Sequence, residues 1–264
     1  MRISHSHAKP TVAIHKFSSC DGCQLAFLNA GADLLTLTQL VDIKHFIEAG
    51  PIEHDAQVDI AFVEGSISTA AELLRIKDVR KNSRYLITIG ACATSGGLQA
   101  LRNLTDSGAW LPAIYASPEH IDSLANVTAI AENVRVDYEL WGCPVNTHQV
   151  MEVIRSLLYG VTPKDHNEAL CLECKRQGNI CTLVTQNKPC MGPVTRTGCG
   201  ALCPSFGRDC YSCYGPSENA NANALANRFH GLGLMPEEIA RRFHHICNSA
   251  PAFKEVGIQV RKVK

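Results

Sequence analysis

Thirteen cysteines, at positions 20, 23, 92, 143, 171, 174, 181, 190, 199, 203, 210, 213 and 247, carry most of the chemistry available to this 264-residue chain. Thiols in such number form disulfides, exchange electrons or bind metal. Cys20 and Cys23 make a C-x2-C pair between a strand signal and a helix signal, a context shared with thioredoxin-like redox pairs. Cys92 follows the strand-like run Tyr85–Ile89 through Gly90 and Ala91, and Cys143 follows Val134–Trp141 through Gly142. Three strands therefore end in cysteine. In an open α/β sheet the carboxyl ends of the strands line one crevice, so these four thiolates converge on one all-thiolate site. Zinc and iron-sulfur groups both accept four thiolates. Ligands scattered from Cys20 to Cys143 over a rigid sheet suit a cubane cluster better than a zinc knuckle. Gly22, Gly90 and Gly142 let backbone come close to inorganic sulfide.

Eight more cysteines read C-x2-C-x6-C-x8-C-x8-C-x3-C-x6-C-x2-C from Cys171 to Cys213, enough for two further four-thiolate clusters. The pattern is not the repeated C-x2-C-x2-C-x3-C-P of bacterial ferredoxins. The economical division sets Cys171, Cys174, Cys181 and Cys190 against Cys199, Cys203, Cys210 and Cys213, although two clusters can exchange ligands across such a boundary. Cys247, in Phe-His-His-Ile-Cys, reads as a buried spare thiol. Twelve cysteines complete three clusters, so His244 and His245 read as packing or surface residues.

The elements that must position these groups alternate over the first 160 residues. Thr11–Ser18, Val41–Phe46, Val58–Val63, Tyr85–Ile89 and Val134–Trp141 read as strands. Helical patterns cover Gln24–Leu40, Thr69–Lys81, a weaker stretch around Gly97–Leu104, and Thr147–Tyr159 after an N-cap at Asn146. Alternation of this kind predicts α/β architecture, a doubly wound parallel sheet over residues 1–160. Residues 161–264 form a small irregular Cys-rich domain after the boundary at Gly160–His166. Between Glu168 and Ser217 there is little periodicity and no prospect of an apolar core, so bound metal is expected to order the segment. Helices around Asn219–His230 and Pro236–Cys247 are expected to pack over it.

Formal net charge is zero, which argues against a nucleic-acid groove or a membrane-surface role. Met1–Pro10 has no apolar signal core, no twin-Arg signal is visible, and no segment gives an uncharged membrane-length run. A reducing cytoplasm is the expected compartment, where thiols more often hold metal than pair with each other.

Five motifs in order carry a resemblance: Phe-Ser-Ser-Cys-Asp-Gly-Cys-Gln, Val-Glu-Gly-Ser, Gly-Ala-Cys-Ala, Gly-Cys-Pro-Val-Asn and Cys-Met-Gly-Pro-Val-Thr, spread over residues 14–215. Together they resemble the successive signatures of NiFe hydrogenase small subunits. The resemblance implies a flavodoxin-like domain whose Cys20, Cys23, Cys92 and Cys143 hold a proximal 4Fe-4S cluster. It also matches Cys190 to a distal cluster and Cys210 and Cys213 to a medial one; joined to the economical division, this puts the medial cluster on Cys199, Cys203, Cys210 and Cys213 and the distal one on Cys171, Cys174, Cys181 and Cys190. Glu64 matches an acidic position near the proximal cluster, either a proton relay or a cap or interface hydrogen bond. Periplasmic members open the distal site with a His where this chain has Cys171, and leave the medial site three cysteines where Cys203 offers a fourth. All-cysteine ligation looks more like the cytoplasmic, bidirectional NAD(P)-linked enzymes, sulfhydrogenases included. The implied partners are a large subunit with the NiFe centre, an NAD(P)-binding flavoprotein with FAD, and a ferredoxin-like iron-sulfur subunit. Small subunits of deazaflavin-reducing or heterodisulfide-reductase-linked hydrogenases, and an electron-transfer module of a respiratory complex, are the alternatives.

Overall fold

The computed structural model describes residues 9–262. Two compact units divide the chain, Met1–Lys164 and Asp165–Lys264. The first unit runs β1 (Thr11–Lys16), α1 (Gly22–Leu28), α2 (Ala32–Leu40), β2 (Asp42–Phe46), β3 (Val58–Glu64), α3 (Ala70–Lys81), β4 (Ser83–Ile89), α4 (Gly90–Ser95), α5 (Ser107–Ile114), β5 (Tyr138–Leu140) and α6 (Thr147–Leu158). The five strands are parallel in the order β2-β1-β3-β4-β5. This is the flavodoxin-like doubly wound sheet, with its switch point between β1 and β3.

Alternation along β3 explains the layering. Ile60 and Phe62 face one apolar cluster with Phe27 of α1, Leu37 of α2 and Val150, Ile154 and Leu157 of α6. Ala61 and Val63 face the other, with Ile76 and Val79 of α3. Phe27 meets the ring edges of Phe46 and Phe62. Thr69 and Glu72 close a reciprocal capping box that starts α3. Asn146 accepts the His148 amide at 2.8 Å and starts α6.

Four local expectations change. The helix expected over Gln24–Leu40 is two helices, because Gly31 takes φ +58 and ψ −123, a conformation open only to glycine. The last strand is Tyr138–Leu140 rather than Val134–Trp141. Just before it, the Asp137 carboxylate accepts the Leu86 amide and pairs with Arg80, so a side chain takes over from the ladder. The stretch Leu98–Leu104 is a 3-10 helix. The helix expected to reach Cys247 stops at Phe243.

The second unit comprises α7 (Leu170–Arg176), α8 (Thr182–Thr185), α9 (Leu202–Ser205), α10 (Ala222–Gly231), α11 (Pro236–Phe243) and α12 (Pro251–Lys262). Phe229, Phe243 and Phe253 are fully buried here and touch in sequence, Phe243 between the other two. Leu170, Met191 and Val194 are buried as well. The Cys-rich segment therefore does contribute apolar packing, contrary to expectation. Among the described residues no helix is long and apolar enough to cross a membrane.

α12 packs on α11 without clearance at one point. A Cβ added to Gly257 would lie 2.2 Å from His244 Nε2. Gly257→Ala should therefore destabilise the unit by about 1–3 kcal/mol through overpacking, despite the better helix propensity of alanine. Thermal unfolding checks this, with Gly231→Ala, which meets nothing within 4 Å, as the neutral reference.

Candidate metal centres

Three strand ends of the first unit deliver four thiols. β1 leads into Cys20-Asp21-Gly22-Cys23, and α1 begins at Gly22. Asp21 has φ +65 and makes no side-chain cap; its carboxylate pairs with Lys16 instead. The cap comes from β3. Glu64, buried, accepts the Cys23 amide at 3.0 Å and the Gln24 amide at 3.2 Å. These are first-turn donors that a helix cannot satisfy internally. Burial raises the Glu64 carboxyl above its usual range, and the two amide bonds oppose that rise.

β4 leads into Gly90, at φ +86, and Cys92 on α4. β5 leads through Gly142 to Cys143, and the Gly142 carbonyl accepts the Ala91 amide at 2.7 Å, tying the two strand ends together. Gln99 brings its amide oxygen 3.4 Å from Cys92 Sγ and donates to the Ser18 carbonyl at 2.9 Å. Burial raises the Cys23 thiol most, followed by Glu64 and then Cys92 and Cys143. Burial pushes Cys92 up to about 11, with Cys143 and Cys20 adding to it. Cys143 rises for the same reason, with Cys20 contributing. Each thiol thus lies within electrostatic reach of others in the set.

Such thiols keep their protons unless a cation replaces them. The donor set fits a four-thiolate iron-sulfur group, and so does the space around it. A Cβ on Gly90 would lie 2.3 Å from Cys23 Sγ, and one on Gly97 2.6 Å from Cys92 Sγ. Among the described residues no three His, Cys, Asp or Glu side chains are grouped to grasp a single metal ion.

In the second unit, Cys171 and Cys174 stand on α7, and Cys181 precedes α8. Burial pushes Cys171 up to about 11, and Cys190, Cys174 and Cys181 add to it. A Cβ on Gly192 would lie 3.5 Å from both Cys171 Sγ and Cys190 Sγ. These four cysteines are brought together. Burial raises Cys199, with Cys203 in electrostatic reach. Cys210 rises well above the ordinary value by burial, with Cys190 and Cys213 adding. Its amide donates to Cys190 Sγ at 3.3 Å, a contact across the division suggested by counting. Left-handed residues stand inside three of the cysteine pairs, Asp21, Ala201 at φ +46 and Ser212 at φ +58. Such turns gather backbone N–H groups into a concave nest for anionic groups.

Cys247 is fully buried, its Sγ 3.6 Å from the Cys213 carbonyl. His244 contacts the Lys254 carbonyl at 3.1 Å, and His245 lies beside the Tyr211 ring. Sequence reasoning missed Gln99, which carries no motif. It also missed the half-buried pair between Arg242 of α11 and Asp209 beside Cys210, and the Thr195 hydroxyl 3.7 Å from Cys210 Sγ.

Gly90→Ala tests the fit of the first site. The added methyl occupies the Cys23 sulfur position at an already left-handed residue. Iron per chain should fall by about four, one cubane's content, with the second unit's iron retained; full iron content would show that the backbone gives way.

Residues 20–157 match the family described as NADH ubiquinone oxidoreductase, 20 kDa subunit. The sulfhydrogenase 2 subunit delta of Pyrococcus furiosus is 33% identical over 231 residues, covering 88% of this chain and 96% of that one. A subunit of the F420-non-reducing hydrogenase of Methanocaldococcus jannaschii is 30% identical over 264 residues, covering 87% and 92%. A chain in the crystal structure of an NAD+-reducing [NiFe]-hydrogenase in the H2-reduced state is similar at 28% identity and a TM-score of 0.55. It covers 60% of this chain and 95% of that one. The chain belongs to this oxidoreductase family, within its NiFe hydrogenase small subunits.

Proposed function

We propose that the chain relays electrons between the NiFe centre of a large subunit and a cytoplasmic, NAD(P)-reducing partner that carries FAD and iron-sulfur groups. The observation that carries this reading is the convergence of Cys20, Cys23, Cys92 and Cys143 at three strand ends, around glycines with no room for a Cβ. Three 4Fe-4S clusters would supply one-electron steps: proximal on those four, medial on Cys199, Cys203, Cys210 and Cys213, distal on Cys171, Cys174, Cys181 and Cys190. The chain's own residues bind, bury and orient. Burial of Cys23, Cys190 and Cys210 excludes water from that side of each site, and backbone amides that reach sulfur tune the potential. Glu64 holds the first turn of α1, and with it Cys23. Its raised pKa also suits it to take up and release a proton.

The family match stops at residue 157, whereas the two hydrogenase relatives span 87–88% of the chain. That extra reach favours a hydrogenase over a respiratory-complex module. One observation favours a second reading, a small subunit linked to heterodisulfide reductase. The F420-non-reducing relative covers 87% of the chain, the NAD+-reducing one 60%.

Copurification of the complex under anaerobic conditions separates the readings. Hydrogen should reduce NAD+ or NADP+, and this chain should hold about twelve iron and twelve labile sulfide. Hydrogen-dependent disulfide reduction without NAD(P)H would install the second reading. About eleven iron with a 3Fe signal would remove Cys203 as a ligand.

Glu64→Gln tests the proton role. Hydrogen/deuterium exchange should fall by about 100-fold or more, with iron content unchanged. Normal exchange in a less stable complex would leave Glu64 as a cap alone.

A further inference from the structure

Ser212 lies between Cys210 and Cys213 and is fully buried. Its φ of +58 is a left-handed conformation, one that strongly favours glycine. That turn places its amide 3.4 Å from Cys210 Sγ. Its carbonyl accepts the Gly215 amide at 3.0 Å. Both backbone groups are thus engaged, while Ser212 Oγ has no hydrogen-bond partner. Two donors near the Cys210 thiol and backbone are committed elsewhere. The Thr195 hydroxyl donates to the Met191 carbonyl at 2.7 Å, and the Cys210 amide to Cys190 Sγ. Buried hydroxyls are normally bonded, and an exception in a native fold asks for an acceptor or a redox role. A serine tolerated where glycine is favoured points the same way.

We propose that the Ser212 hydroxyl donates a hydrogen bond to a sulfur of the iron-sulfur group held by Cys210 and Cys213, and so raises that group's reduction potential. This rests on the ligand reading above. Reduction of such a group by the one electron it relays would add negative charge to its sulfurs and would strengthen a hydrogen bond from the Ser212 hydroxyl. No proton leaves Ser212, and no covalent bond forms or breaks. Ser212 is a tuning residue rather than a ligand.

The test is an EPR-monitored redox titration of the anaerobic complex, poised with dithionite and mediator dyes. The signal that disappears in Cys213→Ser identifies the group. Ser212→Ala removes the hydroxyl and keeps a strained left-handed side chain; Ser212→Gly removes both. Each should shift that signal's reduction equilibrium about tenfold toward the oxidised form, ~59 mV for one electron, with the other signals unmoved and iron content retained. A wild-type potential in both variants overturns the hydrogen bond. A shift in one variant only assigns the effect to the backbone and overturns it as well. Wild-type protein with no Cys213-dependent signal overturns the ligand reading and this inference together.

Discussion

A buried thiol holds its proton until a cation takes the proton's place, and burying several side by side compounds that demand. Cys23, Cys92 and Cys143 are all raised by burial and by one another or by Glu64. Ionising the set without metal would concentrate negative charge where water cannot screen it. The sheet brings the sulfurs to one place, and the absence of a Cβ at Gly90 and Gly97 lets backbone close around them. Sheet register, turn chemistry and thiol burial therefore converge on one arrangement, a set of neighbouring thiols whose ionisation would need a cation in place of their protons.

Glu64 shows how far that requirement reaches into the scaffold. A carboxylate beside Cys23, Cys92 and Cys143 is electrostatically adverse and raises these three thiols further. It is nevertheless the partner for two first-turn amides of α1. The local residue, Asp21, cannot serve, because its left-handed backbone and its pairing with Lys16 turn it away. Lys16 and Glu64 are register partners across β1 and β3. One ladder rung thus holds both the carboxylate that caps the ligand-bearing helix and the lysine that occupies the alternative cap. A slip of this register would move Glu64 to the other face of the sheet.

The strands and the strand-end cysteines were legible because buried parallel strands read as short apolar runs, and Cys92 and Cys143 each follow one of them through a glycine. Asn146 and Thr69 were legible as helix starts for the same kind of local reason. What was hidden depends on distant partners. The early end of the β5 run depends on Asp137 reaching Leu86 and Arg80. α12 follows the last cysteine and carries Gly257 in its middle, which weakens its helical signal although the residue is needed for contact with His244. Ala201 and Ser212 adopt left-handed turns that no propensity assigns to alanine or serine. The approach of Cys210 to Cys190 spans twenty residues and leaves no periodic trace.

The second unit resolves a tension in its own composition. Eight cysteines with glycine and proline between them offer few apolar side chains, yet metal alone need not organise the loops. Arg242 of α11 pairs with Asp209, one residue from Cys210. Cys247, just beyond α11, meets the Cys213 carbonyl. The helices after Cys213 thus grip both ends of the Cys210–Cys213 turn, and their own packing comes from Phe229, Phe243 and Phe253. Apolar burial in the closing helices is transmitted through one ion pair and one thiol contact to the loop that presents sulfur. A turn whose shape is already restrained has less ordering entropy to lose in taking up a metal group of the kind proposed. The order of the chain follows this logic: the cysteines come first, and the core that restrains their turn comes after.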